Sequence, residues 1–222
     1  MTWKLAPLAT GLSILGLVFV FTPTGCGSGS THARLMNAMS GFSSIDMTID
    51  NKSAVTGTTY GAASGYVNVS SGSRNLIVES TGSTSPLINQ TVSFASGDST
   101  VVATDSGATV FTDNNSAPSS GNLNLRVINA SPTLGTADVY IVSPGTSIAG
   151  LSPTFANLAY QAASGYQSLT AGSYQVVFTP PGQQLPVITS SAQSFASGQV
   201  RTVVALDAQG GGFTTAVLSD RN

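Results

Sequence analysis

Arg34-Leu35-Met36-Asn37-Ala38 recurs 92 positions later as Arg126-Val127-Ile128-Asn129-Ala130. Three further matches follow in the same order, at offsets that grow to 101: residues 46–49 with 138–141, 60–66 with 160–166, and 93–97 with 194–198. Because the offset only grows, the second copy carries insertions. The period exceeds the roughly 20–50 residues of solenoid repeats, so each copy is predicted to be a small domain with its own core.

Inside each copy, apolar residues alternate with polar ones. Single polar residues separate Ile45, Met47 and Ile49, and residues 123–128 continue the same period. Alternation with a period of two is typical of half-buried strands, and clusters of Gly, Pro, Asn and Ser interrupt the chain at short intervals. The pattern predicts an all-β fold with two tandem antiparallel β-sandwiches, immunoglobulin-like or transthyretin-like, of about seven or eight strands each.

The predicted domain organisation has five segments. A signal peptide at residues 1–25 and a flexible tether at 26–32 precede the first sandwich, residues 33–113. Residues 114–121 are predicted to be a linker, because this polar run contains Pro and Gly and has no apolar period. The second sandwich occupies residues 122–222. So short a linker predicts two domains that touch or stand at a restricted angle.

The start of the chain resembles the signal of a bacterial lipoprotein. Lys4 precedes an apolar run at residues 5–21, too short for a typical spanning helix, and the run leads to Pro23-Thr24-Gly25-Cys26. In such signals the cysteine becomes the acylated first residue of the mature protein. Thr24, Gly25 and Cys26 fit the pattern, whereas leucine usually stands where this chain has Pro23. An ordinary secretory peptide with a free thiol and an uncleaved anchor are the alternatives.

That resemblance implies a location and a membrane contact. Acylation at Cys26 with palmitate-type chains would anchor the protein in the bacterial cell envelope, since two or three chains hold a protein durably at a bilayer. Gly27, where an aspartate would favour the inner membrane, makes the outer membrane the preferred destination. The alternative location is outside the cell, as a secreted protein.

The composition excludes several function classes. Charged residues make up 7% of the chain and the net charge is −2, so no cationic surface for nucleic acid is expected. A single Cys and a single His rule out an internal disulfide framework and leave few soft metal ligands. The sequence therefore predicts no metal and no cofactor.

The candidates for hydrolytic chemistry are weak. The one histidine, His32, falls in the predicted tether, and no Gly-x-Ser-x-Gly elbow follows the signal peptide. Asp46 and Asp50 would lie about 13 Å apart on one strand face, farther than the carboxylates of glycosidases. No catalytic residue is predicted, and a hydrolase is the least favoured function.

Two arginine–aspartate pairs recur at the same spacing. Arg34 precedes Asp46 by twelve residues, and Arg126 precedes Asp138 by the same distance. In a chain with so few charges, this recurrence predicts two structural cross-strand ion pairs, Arg34–Asp46 and Arg126–Asp138. A ligand-binding role for the arginines is the alternative.

Four tyrosines flank the repeated Ala-Ala-Ser-Gly motif: Tyr60, Tyr66, Tyr160 and Tyr166. Their rings fit the core of a sandwich with the hydroxyl bonded to backbone. The same residues are also the candidates for a ligand surface, because exposed aromatic faces stack on sugars at low entropic cost.

The second copy resembles a bacterial domain of unknown function, family 4397. The similarity rests on Asn129-Ala130-Ser131-Pro132, Asp138-Val139-Tyr140 and Thr170-Ala171-Gly172-Ser173-Tyr174 within residues 126–206. The first copy is more divergent: Met39-Ser40 replaces Ser131-Pro132. This resemblance implies a β-sandwich of secreted or cell-surface proteins, often in tandem, and no established activity.

These observations favour a lipid-anchored envelope protein with a non-enzymatic role in structure, adhesion or assembly. Its expected partners are the membrane, through the anchor, and other envelope proteins or polysaccharide. A surface module that binds polysaccharide or a small ligand is the alternative, using loops at one end of each sandwich.

Overall fold

Two β-sandwiches make up the computed structural model, which describes residues 1–3 and 30–221. The first sandwich has eight strands: β1 (Thr31–Asn37), β2 (Ser44–Ile49), β3 (Lys52–Thr59), β4 (Val67–Val69), β5 (Gly72–Ser80), β6 (Pro86–Phe94), β7 (Gly97–Thr104) and β8 (Gly107–Thr112). The second has ten: β9 (Asn122–Asn129), β10 (Ala137–Val142), β11 (Phe155–Leu158), β12 (Ala162–Ala163), β13 (Gln167–Thr170), β14 (Gly172–Thr179), β15 (Ile188–Thr189), β16 (Gln193–Phe195), β17 (Val200–Asp207) and β18 (Phe213–Arg221). The predicted all-β class with tandem sandwiches is confirmed.

Each sandwich consists of two sheets, and the order of corresponding strands is the same in both copies. In the first, β4-β1-β7-β8 faces β3-β2-β5-β6. In the second, β9 carries β12 and β13 on one side and continues to β17-β18, while the other sheet runs β11-β10-β14-β15 with β16 also on β14. Among the described strands, β1 with β7 and β9 with β17 pair in parallel, and the other pairs are antiparallel.

Alternate side chains along the strands form the apolar core of each sandwich. Ile45, Met47 and Ile49 on β2 are buried in the first core, as their period of two predicts. In the second core, Val139 on β10 takes the place of Met47, and Phe178, its neighbour on β14, is buried beside it. Each copy therefore has an apolar interior of its own.

A third apolar layer lies between the two sandwiches. Met36 on β1 and Val102 on β7 are buried in one cluster with Ile128, Val204 and Leu218 of the second sandwich. The sheets that contain β1 and β9 therefore face each other, and the four sheets form one stack. Strands buried on both faces carry nearly continuous apolar runs, which explains the burial of β1, β7, β9 and β17 along most of their length.

The largest insertion in the second copy covers its outer sheet. Tyr140, Ile148 and Val177 form a small buried cluster on the face of β10 and β14 that points away from the core. Residues 143–154 cross this face, held by hydrogen bonds from Gly145 N to Gln175 Oε1 (2.8 Å) and from Gly150 N to Gln184 Oε1 (2.9 Å).

The segment boundaries differ slightly from the prediction. β1 begins at Thr31, so the last two residues of the predicted tether, Thr31 and His32, belong to the first sheet. β8 ends at Thr112 and β9 begins at Asn122. Cys26 and residues 4–25 of the predicted signal peptide lie outside the described residues. Within the described ranges, no helix is long and apolar enough to cross a membrane.

Candidate functional site

A buried polar cluster lies between the two sandwiches. It contains one arginine, one aspartate, one tyrosine and one threonine from each copy, and we call it the interface cluster: Arg34, Tyr66, Thr100, Asp113, Arg126, Tyr166, Thr202 and Asp220. Arg34 and Arg126 lie on β1 and β9, in register with Thr100 on β7 and Thr202 on β17. Asp113 directly follows β8, and Asp220 lies near the end of β18.

The strand alternation explains where these side chains point. In β1, Ala33 and Leu35 face the first core, so Arg34 between them projects from the opposite face, toward the second sandwich. Leu125 and Val127 flank Arg126 in the same way. Each arginine is therefore directed at the neighbouring domain.

The ion pairs of the interface cluster are reciprocal between domains. Nη2 of Arg34 donates to Oδ1 of Asp220, and Nη2 of Arg126 donates to Oδ1 of Asp113 at 2.5 Å. Each arginine also lies near the other aspartate of the cluster: Arg34 Nη2 is 3.9 Å from Asp113, and Arg126 Nη2 is 3.8 Å from Asp220. Buried ion pairs are favourable only when the remaining donors and acceptors are also satisfied.

The other arginine donors are satisfied by the same pattern in both copies. Nε of Arg34 donates to Thr100 Oγ1 (2.8 Å), and its Nη1 donates to the carbonyl of Ser219 (2.8 Å). Nε of Arg126 donates to Thr202 Oγ1 (3.0 Å), and its Nη1 donates to the carbonyl of Thr112 (3.0 Å). Each guanidinium thus bonds to its own sheet and to the other domain.

The second oxygen of each carboxylate accepts two hydroxyl groups. Oδ2 of Asp113 accepts from Thr100 (2.7 Å) and from Tyr66 (2.6 Å). Oδ2 of Asp220 accepts from Thr202 (2.6 Å) and Tyr166 (2.8 Å).

The two tyrosine rings also contact the arginines. The guanidinium carbon of Arg34 lies 4.8 Å from the ring centre of Tyr66, and that of Arg126 lies 4.7 Å from the ring centre of Tyr166, which is cation–π distance. Burial raises the pKa of both tyrosines well above the usual value of 10. The arginine charge opposes this shift, and Asp113 and Asp220 add to it.

A second set of contacts joins the domains at the opposite end of β1 and β9. The hydroxyl of Tyr60 donates to the carbonyl of Asp207, and that of Tyr160 lies 3.3 Å from Ser106 Oγ. Nε2 of Gln161 donates to Thr104 Oγ1 at 2.7 Å. Burial raises the pKa of Tyr60 to about 12, assisted by the negative charges of Asp207 and Asp105.

The predicted pairs Arg34–Asp46 and Arg126–Asp138 are wrong. Asp46 and Asp138 lie on β2 and β10, in the outer sheet of each sandwich, whereas the arginines project from the inner sheets. Asp46 accepts from Gly57 N (2.7 Å) and Thr81 Oγ1 (2.6 Å). Asp138 accepts from Asn157 N and Gly182 N, both at 2.8 Å. Each carboxylate therefore holds the neighbouring edge strand and a loop of its own sheet, β3 and Thr81 for Asp46, and β11 and Gly182 for Asp138.

The four candidate tyrosines are half-buried at the interface. Tyr66 and Tyr166 belong to the interface cluster, and Tyr60 and Tyr160 extend from one domain to the other. Their placement gives no support to a shared exposed stacking surface.

His32 forms a contact that its predicted place in a tether did not suggest. Its Nδ1 lies 2.6 Å from Asp98 Oδ1, and the side-chain amide of Asn115 donates to the other oxygen of Asp98. This group connects the start of β1 to β7 and to the segment between the domains. In residues 1–3 and 30–221, no three His, Cys, Asp or Glu side chains are grouped as a metal site.

Sequence reasoning missed both aspartates of the interface cluster. Extending the repeat to the end of each copy would have found them, because Val110-Phe111-Thr112-Asp113 matches Val217-Leu218-Ser219-Asp220 at an offset of 107. Each motif places its aspartate three residues after the valine.

Fold and interface define a tandem β-sandwich protein whose two copies share one polar interface cluster. The chain belongs to the family described as Domain of unknown function (DUF4397), whose model matches residues 31–140 and 142–222, in agreement with two tandem copies. No curated protein matches the sequence.

Several solved structures show a distant likeness. The C-terminal domain of AlgF from P. aeruginosa is 11% identical, with 46% of this chain and 99% of that chain covered and a TM-score of 0.30. A family CBM26 module of Eubacterium rectale Amy13K, in complex with maltoheptaose, is 11% identical over 84% and 96% of the two chains, with a TM-score of 0.29. A putative cell adhesion protein of Bacteroides uniformis is 8% identical over 86% and 99%, with a TM-score of 0.28. Likenesses this weak carry no functional argument.

Proposed function

We propose that this protein is a lipid-anchored component of the bacterial cell envelope with a non-enzymatic role in structure and assembly. One observation carries the proposal: the interface cluster uses its charged and phenolic groups to join two sandwiches into one body. The function would then reside in the outer surfaces and edges of that body.

The interface cluster is ill suited to catalysis. A general acid or base must reach the substrate and exchange a proton with it. The side chains of Asp113 and Asp220 are 0% exposed, and those of Arg34 and Arg126 are at most 4% exposed. Both carboxylates already accept hydrogen bonds at both oxygens, so a substrate would have to displace the domain interface to reach them.

The same interface makes the tandem suitable as a spacer of fixed geometry. Apolar packing around Met36, Ile128 and Leu218 extends beyond the polar cluster. A large apolar interface suppresses the relative domain motion that a small polar one permits. The two sandwiches would therefore present their outer surfaces at a constant distance and angle.

The lipid anchor is the part of the proposal that rests on the signal sequence. Cys26 precedes the first residue of β1, Thr31, by five residues. Anchoring at Cys26 would place the Thr31 end of the stack nearest the bilayer. The loops after β1, β7 and β17 would then lie at the end far from the membrane, available to other envelope components.

Metabolic labelling with palmitate in a bacterial host tests this anchor. We expect the wild-type chain to carry the label and to sediment with membranes, and Cys26→Ala to lose both. Pro23→Leu is the matched variant, since it restores the residue usual in lipoprotein signals while keeping Cys26. It should label at least as strongly as wild type. Unchanged membrane recovery of Cys26→Ala would reject lipid anchoring.

The binding-module alternative is tested separately by affinity electrophoresis in gels that contain soluble polysaccharides. A structural protein should migrate equally with and without polysaccharide. Specific retardation by one glycan would favour the alternative function.

A further inference from the structure

The two sandwiches differ at one seam, where the edge strands of their two sheets meet. In the first sandwich, this seam lies between β6 and β8 and is closed. Nε2 of Gln90 donates to the carbonyl of Ala108 at 2.6 Å, and Oε1 of Gln90 accepts the amide of Ala108 at 3.2 Å. The side-chain amide therefore bonds an edge-strand residue as a neighbouring strand would.

The residues around Gln90 fit this closure. Gly107 opposes it on β8 with a φ of 124°, and a Cβ at Gly107 would lie 3.1 Å from Gln90 Oε1. Leu87 and Val110 on the same two strands are partly buried against the first core. Thus glycine makes room for the amide, and the closed seam shields the apolar side chains beside it.

The second sandwich lacks this closure because its equivalent of β6 is interrupted. Residues 186–195 contain one residue more than their counterparts 86–94, and an extra residue disrupts a strand ladder. β15 and β16 are the two short pieces that result. Between them, Ser190 turns toward β14, where its Oγ accepts the amide of Val176 at 2.9 Å.

The open seam leaves apolar side chains in solvent. Val187 and Val217, the counterparts of Leu87 and Val110, are 39% and 38% exposed. A groove of about 430 Å³ lies here, lined by Val187 and Ile188 on one side and by Phe213, Thr214 and Thr215 on the other. Val217 follows Thr215 by two residues, on the same face of β18, and borders this groove. All its lining residues are uncharged. β18 is the edge of its sheet, and Arg34 contacts it toward its end, at Ser219 and Asp220.

We propose that this open seam is a docking site for an extended, uncharged segment of a partner protein that carries a Gln or Asn side chain between apolar residues. The closed seam of the first sandwich shows which groups fit such a seam. A side-chain amide bonds the backbone of the edge strand, and aliphatic side chains pack against the core. Pairing with an exposed strand edge is an established mode of peptide recognition. The uncharged lining favours an uncharged segment, because a charge would lose its hydration without a counterion.

This inference deepens the assembly role proposed above and rests on it. It does not involve the lipid anchor, so the peptide experiment and the palmitate experiment can fail separately.

A labelled peptide with the sequence of β6, residues 86–94, is the probe, and its binding to the full chain in detergent is followed by fluorescence anisotropy. We expect saturable binding that weakens about tenfold or more in Val187→Lys and Val217→Lys, since a lysine in the seam obstructs the edge. Leu151→Lys is the matched control, because Leu151 is 42% exposed and belongs to the insertion across β10 and β14 rather than to β15 or β18. A peptide with alanine at the position of Gln90 should also bind more weakly.

Absence of saturable binding to a chain that is folded by circular dichroism would overturn the proposal. So would equal binding by wild type and Val217→Lys. A wild-type chain that is dimeric, and that Val217→Lys converts to a monomer, would assign the seam to a second copy and overturn the partner proposed here.

Discussion

Arg34 and Asp220 form a buried ion pair although 186 positions separate them in the sequence. The pair joins the first strand of one sandwich to the last strand of the other. Arg126 and Asp113 form the reverse pair, from the second sandwich to the end of the first. Each domain thus neutralises the buried charge of the other, and the stability of the two sandwiches should be coupled.

Removing one arginine tests this coupling. Arg126→Ala leaves the Asp113 carboxylate buried without its ion partner, and breaking a buried pair in this way costs about 3–5 kcal/mol. Urea unfolding measures the loss. Arg74→Ala is the control, because Arg74 lies 3.5 Å from Asp50 at the surface, where an ion pair contributes about 0–1 kcal/mol. Similar small losses in both variants would contradict a stabilising interface cluster.

The phenolic hydroxyl of Tyr166 should contribute measurably, because it donates to the buried Asp220 carboxylate. We expect Tyr166→Phe to lower the free energy of unfolding by about 1.5–3 kcal/mol, the range for hydrogen bonds to charged groups. Tyr174→Phe is the matched variant, since that hydroxyl donates to the exposed carbonyl of Thr170. Its loss should be about 0.5–1.5 kcal/mol, and the reverse order of the two effects would refute the assignment.

The apolar layer between the domains should make unfolding a single event. Leu218→Ala opens a cavity in this layer and should cost about 2–5 kcal/mol. The wild-type chain is expected to unfold in one calorimetric transition, and Leu218→Ala to broaden or divide it. Val217→Ala, at the exposed neighbouring position, should change stability by only about 0.5 kcal/mol. Two well-separated transitions in the wild type would show that the sandwiches are independent.

Alkaline pH should destabilise the protein through the interface tyrosines. Burial raises the pKa of Tyr60 to about 12, and it also raises the pKa values of Tyr66 and Tyr166. The unfolded chain then loses these protons first, near pH 10, so the tyrosines' contribution to stability should be constant below about pH 10 and fall as the pH rises further. Unfolding free energies at a series of pH values test this, with phenolate absorbance as a second readout. Tyr66→Phe should reduce the slope, and an unchanged slope would count against this role.

The sequence predicted the sandwiches because local periodicity decides which side chains face inward. Ile45, Met47 and Ile49 needed no knowledge of distant residues to be placed in a core. The repeat likewise identified Arg34 and Arg126 as a matched pair. The repeat also contains their partners, Asp113 and Asp220, but which arginine each aspartate binds depends on how one domain packs against the other. Periodicity within one domain does not determine that packing.

For the tyrosines, too, the sequence predicts their position but not their surroundings. Their position beside the repeated motif was visible, but whether their rings face solvent depends on how the two sandwiches pack. The open seam at Val217 is also a property of two strands far apart in the sequence. One additional residue between Pro186 and Phe195 is its sequence signal, and this signal acquires meaning only when the first copy is compared with the second.

The reciprocal pairing of Arg34 with Asp220 and Arg126 with Asp113 has the form of a symmetric dimer whose subunits have been fused. In a true homodimer, any change at a distant edge would appear in both subunits. Fusion removes that restriction while the shared contact face is kept. The first sandwich can then keep its closed seam while the second acquires an open one. Covalent linkage therefore permits the two sandwiches to differ at their edges without loss of the symmetric interface between them.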